Sequence, residues 1–266
     1  MGVLQQNRPG DRFDITVPHS ARIWNYWLGG KDHYPADRQA GEAYRELFPG
    51  IEHLARTARY FLARVVTYLA AEAGIRQFLD IGTGLPTGNN THQVAQRASL
   101  DCKIIYVDND PLVLSHARAL LTSKPEGVCE YLDADLREPD KILTLAAKTL
   151  DFGAPLALML MGIMGHVPDN QAYPIVAQFT GALPSGSYLA LYDGANTSEA
   201  FNHAQDGYNQ TGAVPYYLRS PAQIARFFGG LTMVEPGVVP CSDWRPENTP
   251  FGPAPQSYVY GGVGRK

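Results

Sequence analysis

Short apolar runs alternate with amphipathic stretches after Gly74, and this alternation constrains the fold more than any other feature of the sequence. We predict strands at Gln77–Ile81, Lys103–Val107, Glu130–Leu132, Ala157–Met161 and Tyr188–Tyr192. Helical patterns fill the intervals, at about Asn90–Arg97, Pro111–Leu121, Pro139–Leu150 and Gln171–Leu183. Strands that alternate with helices pair in parallel through right-handed crossovers. The sequence therefore predicts an α/β protein built on a mostly parallel sheet with helices on both faces.

Three helical patterns precede this alternation. They are the aromatic block Ser20 to Leu28, a segment that begins near Pro35, and an apolar stripe from Ile51 to Leu69 at three- and four-residue steps. We expect them to form an N-terminal helical cap behind a loose arm of about 15 residues. We assign residues 1–75 to arm and cap and 76–266 to the sheet domain, the two forming one structural unit.

The C-terminal region adds a helix start and two more strands. Ser220-Pro-Ala-Gln223 has a capping residue, a proline in the first turn and Gln at the third position. The apolar runs Leu231–Val239 and Ser257–Val263 have no convincing helix between them, which favours antiparallel pairing. We therefore expect a Rossmann-like sheet of seven strands with an antiparallel C-terminal strand.

Composition narrows the class of protein. The net charge is -4 and no Lys/Arg run occurs, which argues against nucleic acid as a partner. The longest apolar segment, Pro155 to Met164, is far shorter than the roughly 20 residues of a membrane span. The 3 cysteines form no Cys-x-x-Cys pair and the 7 histidines show no metal-ligand spacing. We expect a cytoplasmic protein without a membrane segment or a dedicated metal site.

The stretch Phe78-Leu-Asp-Ile-Gly-Thr-Gly-Leu-Pro-Thr87 places two glycines at the end of the first strand of the sheet. Gly82 and Gly84 let a ligand approach the main chain closely. A dinucleotide fingerprint needs a third glycine where Thr87 stands, and no phosphate-binding Gly-Lys-Ser/Thr occurs. The carboxylate of Asp80 would repel a phosphate and suits an ammonium or sulfonium. These features indicate a cationic nucleoside that carries an amino acid, such as S-adenosylmethionine.

Acidic residues also follow the next two predicted strands. Asp108 ends the second strand, where an acid about 20 residues after the turn binds ribose hydroxyls. After the third strand, Asp133 or Asp135 can accept from an adenine amino group, and the Leu136 amide can donate to a ring nitrogen. Aspartates often cap turns at strand ends, so each one alone is ambiguous. Their succession around Gly-x-Gly favours a nucleoside site.

These motifs resemble those of the class I S-adenosylmethionine-dependent methyltransferases. Asp80-Ile-Gly-Thr-Gly84 resembles their first motif, Asp108 their ribose acid and Asp135-Leu136 their adenine-edge pair. The chain is more closely similar to an actinobacterial methyltransferase family that long carried only a domain-of-unknown-function label. The shared motifs are Ala21-Arg-Ile-Trp-Asn-Tyr-Trp-Leu-Gly-Gly-Lys-Asp-His-Tyr-Pro-Ala-Asp-Arg38, Gly82-Thr-Gly-Leu-Pro-Thr87, Asn90-Thr-His92, Tyr106-Val-Asp-Asn-Asp-Pro111 and Trp244-Arg-Pro246. Asn25 and His33 depart from that pattern, where an acid and Asn are usual, so we assign them no role.

The resemblance implies S-adenosylmethionine as cofactor and names no acceptor. We expect the residues that bind the cofactor to come from the glycine turn, the strand ends and the cap: Asp80, Gly82, Thr83, Gly84, Thr87, His92, Asp108, Asn109, Asp135, Leu136, Met161, Gly162, Tyr26 and Lys31. For His92 a helix-facing hydrogen bond is the alternative to contact with the cofactor carboxylate. Tyr26 or Lys31 would lie near the methionine end if the cap folds over the cofactor as a lid; alternatively, the helices only cover the sheet.

Two residues after later strands are candidates for catalysis. His166 follows the fourth strand and could act as a general base or cap the Val167-Pro-Asp169 turn. Asp193 ends the fifth strand, where it could steady the lid or face the acceptor. The segment Asn196 to Arg219, with Tyr208, Tyr216 and Tyr217, could build an acceptor pocket or form a surface loop.

The predicted function is methyl transfer from S-adenosylmethionine to a small-molecule acceptor, which places the chain among the methyltransferases (EC 2.1.1.-). A non-catalytic protein that binds the same cofactor or S-adenosylhomocysteine is the alternative, because no unambiguous base is present. A nicotinamide-dependent oxidoreductase is disfavoured by Thr87 and by the acids at the strand ends.

Overall fold

Eight strands form one sheet in the part of the chain that the computed structural model describes, residues 14–120, 126–246 and 257–266. They are β1 (Gln77–Ile81), β2 (Lys103–Asp108), β3 (Val128–Asp133), β4 (Ala157–Met161), β5 (Tyr188–Gly194), β6 (Thr232–Met233), β7 (Val239–Pro240) and β8 (Val259–Arg265). Their order is β3-β2-β1-β4-β5-β8-β6, and β7 also pairs with β8. Strands β1 to β5 pair in parallel, whereas β8 runs antiparallel to its neighbours. The predicted parallel sheet and antiparallel C-terminal strand are confirmed.

The number of strands differs from the seven that we predicted, because the run Leu231–Val239 forms two short strands. The break between β6 and β7 contains Pro236, which has no amide hydrogen to donate to a strand ladder. A turn forms there instead, closed by the Gly237 amide, which donates to the Val234 carbonyl at 2.9 Å.

Helices cover both faces of the sheet. They are α1 (Ser20–Trp27), α2 (Pro35–Leu47), α3 (Ile51–Thr67), α4 (Thr91–Ala98), α5 (Pro111–Leu120), α6 (Pro139–Ala146), α7 (Asp169–Ala182), α8 (Glu199–Tyr208) and α9 (Pro221–Ala225). Most match predicted segments within a few residues, although α6 ends before Leu150. Within the described ranges, none of these helices combines the length and the apolar character needed to cross a membrane.

Strands β1, β2, β4 and β5 are buried on both faces, which explains their largely apolar sequences, whereas the edge strand β3 is only partly buried. In β1, Phe78 packs into the core on the face that α3 covers, and Leu79 packs into the core on the face that α7 covers. Alternate residues therefore enter opposite cores while the strand ends converge on one edge. This arrangement brings the turn after β1 beside the ends of β2 and β4.

The N-terminal helices are fixed by a buried carboxylate. Asp37 is fully buried in the first turn of α2, and its Oδ1 accepts hydrogen bonds from the His19 amide at 2.9 Å and from Arg22 Nε at 3.0 Å. The Tyr34 amide donates to its Oδ2 at 2.8 Å. These contacts set the angle between α1 and α2, and therefore decide which face of α1 looks toward the sheet. The division of the chain at residue 75 stays a prediction, and most of the predicted N-terminal arm lies outside the described residues.

The helix α8 was not predicted. It lies in the segment 196–219, which we interpreted as an acceptor pocket or a surface loop. Its sequence contains Asn202, Asp206 and Gly207, which have low helix propensity. Contacts with α2 and the residue after it compensate: the Phe201 ring lies 5.2 Å from that of Phe48 between centroids. Tertiary packing overrides local preference here.

Candidate functional site

A cavity of about 360 Å³ opens at the carboxyl edge of the parallel strands. Its floor is the turn after β1 together with the ends of β2 and β4, and helix α1 lies over it. Gly82, Gly84, Asp80 and Asp108 all line it. The cavity is therefore at the edge where parallel α/β sheets bind their ligands.

The two glycines of the turn have backbone conformations that residues with a side chain rarely adopt. Gly82 has φ of +73° and Gly84 has φ of +63°, both in the left-handed region. A Cβ atom on Gly82 would lie 2.6 Å from Ile163 Cβ, too close for any side chain. The Gly84 amide donates to Asp108 Oδ2 at 2.9 Å, which ties the turn to the end of β2.

The two carboxylates beside this turn are not fully neutralised by positive charge. Asp80 is 3% exposed; its burial raises the pKa of the carboxyl to about 6, while a hydrogen bond from Thr91 Oγ1 at 2.6 Å acts in the opposite direction. Burial also raises the pKa of Asp108, despite hydrogen bonds from the Asp110 and Gly84 amides. A cationic ligand in the cavity would stabilise the ionised form of both groups.

The adenine-edge pair lies farther along the same edge. Asp135 and Leu136 both line the cavity, whereas the exposed Asp133 does not. Asn109 Nδ2 donates to Asp135 Oδ2 at 3.1 Å, and the Arg137 amide donates to Oδ1 at 2.8 Å. Of the two acids that the sequence left open, Asp135 is the one in the cavity wall.

Other residues of the predicted cofactor set have mixed placements. Thr83, Thr87, Asn109, Met161 and Gly162 line the cavity. His92 does not line it. The His92 amide donates to the Tyr106 hydroxyl at 2.8 Å, and the buried ring places Nδ1 3.0 Å from the same oxygen. Burial also lowers the pKa of His92. The contacts with Tyr106 correspond to the helix-facing hydrogen bond that was our alternative for this residue.

The two cap residues of the predicted set also lie outside the cavity wall. Lys31 is exposed, and the Tyr26 hydroxyl contacts the Glu42 carboxylate on α2. Trp24 and Asn25 line the cavity instead. Residues two apart on a helix lie on roughly opposite faces, so Trp24 and Tyr26 cannot both face the cavity. Asn25 is held in place because its Oδ1 accepts from the Asp32 amide at 3.0 Å.

His166 lines the cavity in the turn after β4. Its Nδ1 lies 3.0 Å from the Pro215 carbonyl oxygen, which can only accept a hydrogen bond. Nδ1 of the neutral ring must therefore carry the proton, and Nε2 keeps its lone pair. Burial lowers the pKa of this histidine, which favours the neutral ring that a general base requires.

Asp193 is fully buried and lies outside the cavity wall. Its Oδ2 lies 3.1 Å from Arg219 Nη1, and its Oδ1 accepts from the Gly165 amide and the Tyr216 hydroxyl, both at 3.1 Å. Arg219, only 1% exposed, also donates to the Met164 carbonyl at 2.8 Å. This network holds the turn that carries His166. Asp193 therefore stabilises that turn and does not face the cavity.

Sequence reasoning missed most of the cavity wall formed by helices. Trp27, Leu54 and Leu62 from α1 and α3 line it, as does Phe201 from α8. Tyr208, named in the sequence analysis as a possible pocket residue, lines it as well. The three- and four-residue apolar spacing of α1 and α3 is the signal that could have indicated them. Tyr216 also lines the cavity, whereas Tyr217 is exposed. Among the described residues, no group of His, Cys, Asp or Glu is arranged to hold a metal ion.

Comparisons with known proteins give one consistent result. A family model described as S-adenosyl methyltransferase matches residues 6–266. A crystal structure of a DUF574 family protein from Streptomyces avermitilis is 41% identical and has a TM-score of 0.91, with 96% of this chain and 100% of that chain covered. A "putative methyltransferase" from Thermobifida fusca is 37% identical with a TM-score of 0.89, covering 97% and 98% of the two chains.

Curated proteins match more locally. Two from Mycobacterium sp., strains KMS and MCS, are named "Putative S-adenosyl-L-methionine-dependent methyltransferase" and are 29% identical over 131 residues. The matched part is 46% of this chain and 39% of each relative, so the similarity spans well under half of those proteins.

Proposed function

Because this chain belongs to the S-adenosyl methyltransferase family, we propose that it transfers a methyl group from S-adenosylmethionine to a small-molecule acceptor. The observation that supports this most directly is the combination of a glycine turn and two incompletely compensated carboxylates in one cavity. A cationic amino-acid nucleoside supplies the positive charge that these groups lack. The cavity also continues past the turn, which leaves space for an acceptor.

The residues of the cavity fit S-adenosylmethionine by their donors and acceptors. Asp80 and the main chain of the Gly82–Gly84 turn would hold the methionine part, and Asp108 would accept from the ribose hydroxyls. Asp135 would accept from the adenine amino group, beside the Leu136 amide. The Cβ position of Gly84 has a single heavy-atom neighbour within 4 Å, Ala21 Cβ at 3.8 Å, so the turn and α1 leave a gap between them.

We also propose that α1 acts as a lid on this gap. His19 precedes α1, and its Nδ1 lies 3.1 Å from Asp110 Oδ2, a contact that becomes an ion pair when Nδ1 is protonated. The Asp110 amide donates to Asp108 Oδ1 at 3.0 Å. The contact between His19 and Asp110 is therefore linked through one hydrogen bond to Asp108, the proposed ribose ligand. Trp24 on the cavity side of α1 excludes water from the reacting atoms.

S-adenosylmethionine, when bound, supplies a methyl group on a sulfonium whose leaving group is neutral. The chain has to orient the acceptor for in-line attack, and positioning alone can supply much of the acceleration. Gly162 lines the cavity just after β4, where the Tyr192 ring packs against it and would lie 2.9 Å from a Cβ atom at this position. His166 Nε2 is placed to accept a proton from an acceptor that needs deprotonation.

The test has two parts. Calorimetric titration with S-adenosylmethionine, S-adenosylhomocysteine and NAD should give binding of the first two only, and Asp108→Asn should weaken both. Transfer of labelled methyl groups into metabolite extracts should then give a labelled product. Tight NAD binding would contradict the cofactor assignment, whereas cofactor binding without a product from any extract would favour the non-catalytic alternative.

A further inference from the structure

The cavity has a second region away from the carboxylates, which we call the chamber. It is lined by apolar and aromatic side chains from the cap and from α8: Trp27, Ile51, Leu54, Leu62, Phe201 and Tyr208. All six are buried. Their walls are thus preformed by the packing of the cap on the sheet, and the chamber belongs to the same cavity as the glycine turn.

The aromatic walls of the chamber contact one another through Tyr44, in one tilted pair with Trp27 and in two edge-to-face pairs with Phe201 and Tyr208. The Trp27 and Tyr44 ring centroids are 4.9 Å apart, and Tyr44 lies 6.4 Å from both Phe201 and Tyr208. The Tyr44 hydroxyl donates to Gln205 Oε1 at 3.3 Å, so this polar pair is satisfied within the protein. An aromatic ligand can extend such a network by presenting its own edge and faces.

The charged side chains of the cavity wall all lie at its other end, as far as the described residues go. Asp80 is the last residue but one of β1, Asp108 ends β2 and Asp135 follows β3, and Arg137 Nη1 lies 3.5 Å from Asp135 Oδ2. Arg59 is turned toward the loop after the glycine turn, where its Nη2 donates to the Asn89 carbonyl at 3.0 Å. A charged acceptor in the chamber would lose its hydration without gaining a partner.

His166 is a polar residue of the cavity wall, in the turn after β4. With the proton fixed on Nδ1 by the Pro215 carbonyl, Nε2 can only accept, so it selects a ligand that presents a donor. A base at this position benefits a hydroxyl acceptor most, because an uncharged hydroxyl is a weak nucleophile until its proton is removed. We propose that the acceptor is an uncharged aromatic compound with a phenol-type hydroxyl, its ring in the chamber and its hydroxyl at His166 Nε2.

This inference rests on the proposed methyl transfer and completes its chemistry. The hydroxyl proton moves to His166 Nε2 as the oxygen attacks the methyl carbon. The new oxygen–carbon bond forms while the sulfur–carbon bond breaks, and the bonding pair stays on sulfur. The products are an aryl methyl ether and neutral S-adenosylhomocysteine, and the imidazolium then returns its proton to water.

Three probes of one size test the acceptor class: 2-naphthol, 2-naphthoate and 2-naphthylmethylammonium. Each is titrated calorimetrically into the full chain saturated with S-adenosylhomocysteine. We expect 2-naphthol to bind at least 10-fold more tightly than either charged probe, and S-adenosylmethionine to convert it to 2-methoxynaphthalene, measured by mass spectrometry. Equal binding of the three probes, or preference for a charged one, overturns the inference while cofactor binding keeps the proposed function intact. Failure of S-adenosylmethionine and S-adenosylhomocysteine to bind overturns the proposed function itself.

Three variants locate the site. His166→Asn keeps an amide nitrogen near the position of Nδ1 but removes the base; we expect 2-naphthol affinity within about 2-fold and methylation slower by about 100-fold or more. Unchanged methylation would exclude His166 as the base. Val214 and Tyr217 are both 44% exposed, and only Val214 lines the cavity. Val214→Asp should weaken 2-naphthol binding at least 5-fold and Tyr217→Asp should not; equal effects would place the ligand outside the cavity.

Discussion

Substituting Gly84 by alanine tests whether the turn after β1 meets a ligand. The new methyl group would face the gap below α1, 3.8 Å from Ala21 Cβ, so it meets no protein atom closely. An L-residue at positive φ costs about 1–2 kcal/mol, and the stiffer unfolded chain offsets about 0.4–1 kcal/mol of this. We expect a net loss of about 1 kcal/mol in the free energy of unfolding, measured by urea denaturation.

Gly84→Ala should also weaken cofactor binding, by more than the backbone strain alone accounts for. If S-adenosylmethionine lies against the turn, the methyl group overpacks the contact, which typically costs about 1–3 kcal/mol. That corresponds to a dissociation constant about 5- to 150-fold higher, measurable by calorimetry. Stability and affinity are thus separable in one variant.

Gly74 is the matched control for this experiment. It has φ of +72° against +63° at Gly84, no heavy atom lies within 4 Å of its Cβ position, and it does not line the cavity. Gly74→Ala should lose about the same stability and keep the cofactor affinity within about 2-fold. Gly82→Ala should lose about 1–3 kcal/mol more than either, because its methyl group collides with Ile163. Equal cofactor affinities for the Gly84 and Gly74 variants would refute the proposed contact.

Four further predictions concern charged or titratable side chains. Cofactor affinity should fall as the pH drops through about 6, because protonated Asp80 no longer attracts a cation, and Asp80→Asn should flatten this dependence in calorimetric titrations. The raised pKa also means that the folded state holds this proton more tightly than the unfolded chain, so unliganded stability should decrease as the pH rises from about 4 to 6; an increase would contradict the burial argument. Arg219→Met should cost about 3–5 kcal/mol in urea denaturation by leaving Asp193 buried without its partner, and a loss below about 1 kcal/mol would argue against that pair. His19→Ala should raise cofactor dissociation rates in stopped-flow experiments, and unchanged rates would refute a lid held by Asp110.

The strands and the floor of the site could be predicted from sequence because both depend on local pattern. A strand buried on both faces reads as a continuous apolar run, which fixes Gln77–Ile81 and Ala157–Met161 to the residue. Parallel strands also end at one edge, so the residues at and just after their carboxyl ends, Asp80, Gly82 and Asp108 among them, come together without further information.

The roof of the site could not be predicted in the same way. Which face of α1 covers the cavity depends on how α1 packs on α2, and the sequence did not reveal that Asp37 would be buried against Arg22. For this reason the sequence predicted Tyr26 as a residue of the site, where the structure has Trp24. Helix α8 depends on contacts with Phe48 and Tyr44, more than 150 residues away along the chain, so local propensity gave no signal for it.

The position of β8 in the sheet affects how the chain folds during its synthesis. Residues 257–266 insert between β5 and β6, and the Val259–Gly194 pairing joins strands far apart in synthesis. Until the ribosome has released β8, the backbone groups of β5 face an unfilled slot in the sheet, a template for pairing with another chain. Such late, non-local pairing folds slowly. We expect nascent chains that stop before residue 257 to aggregate, because β8 is the strand that fills this position beside β5.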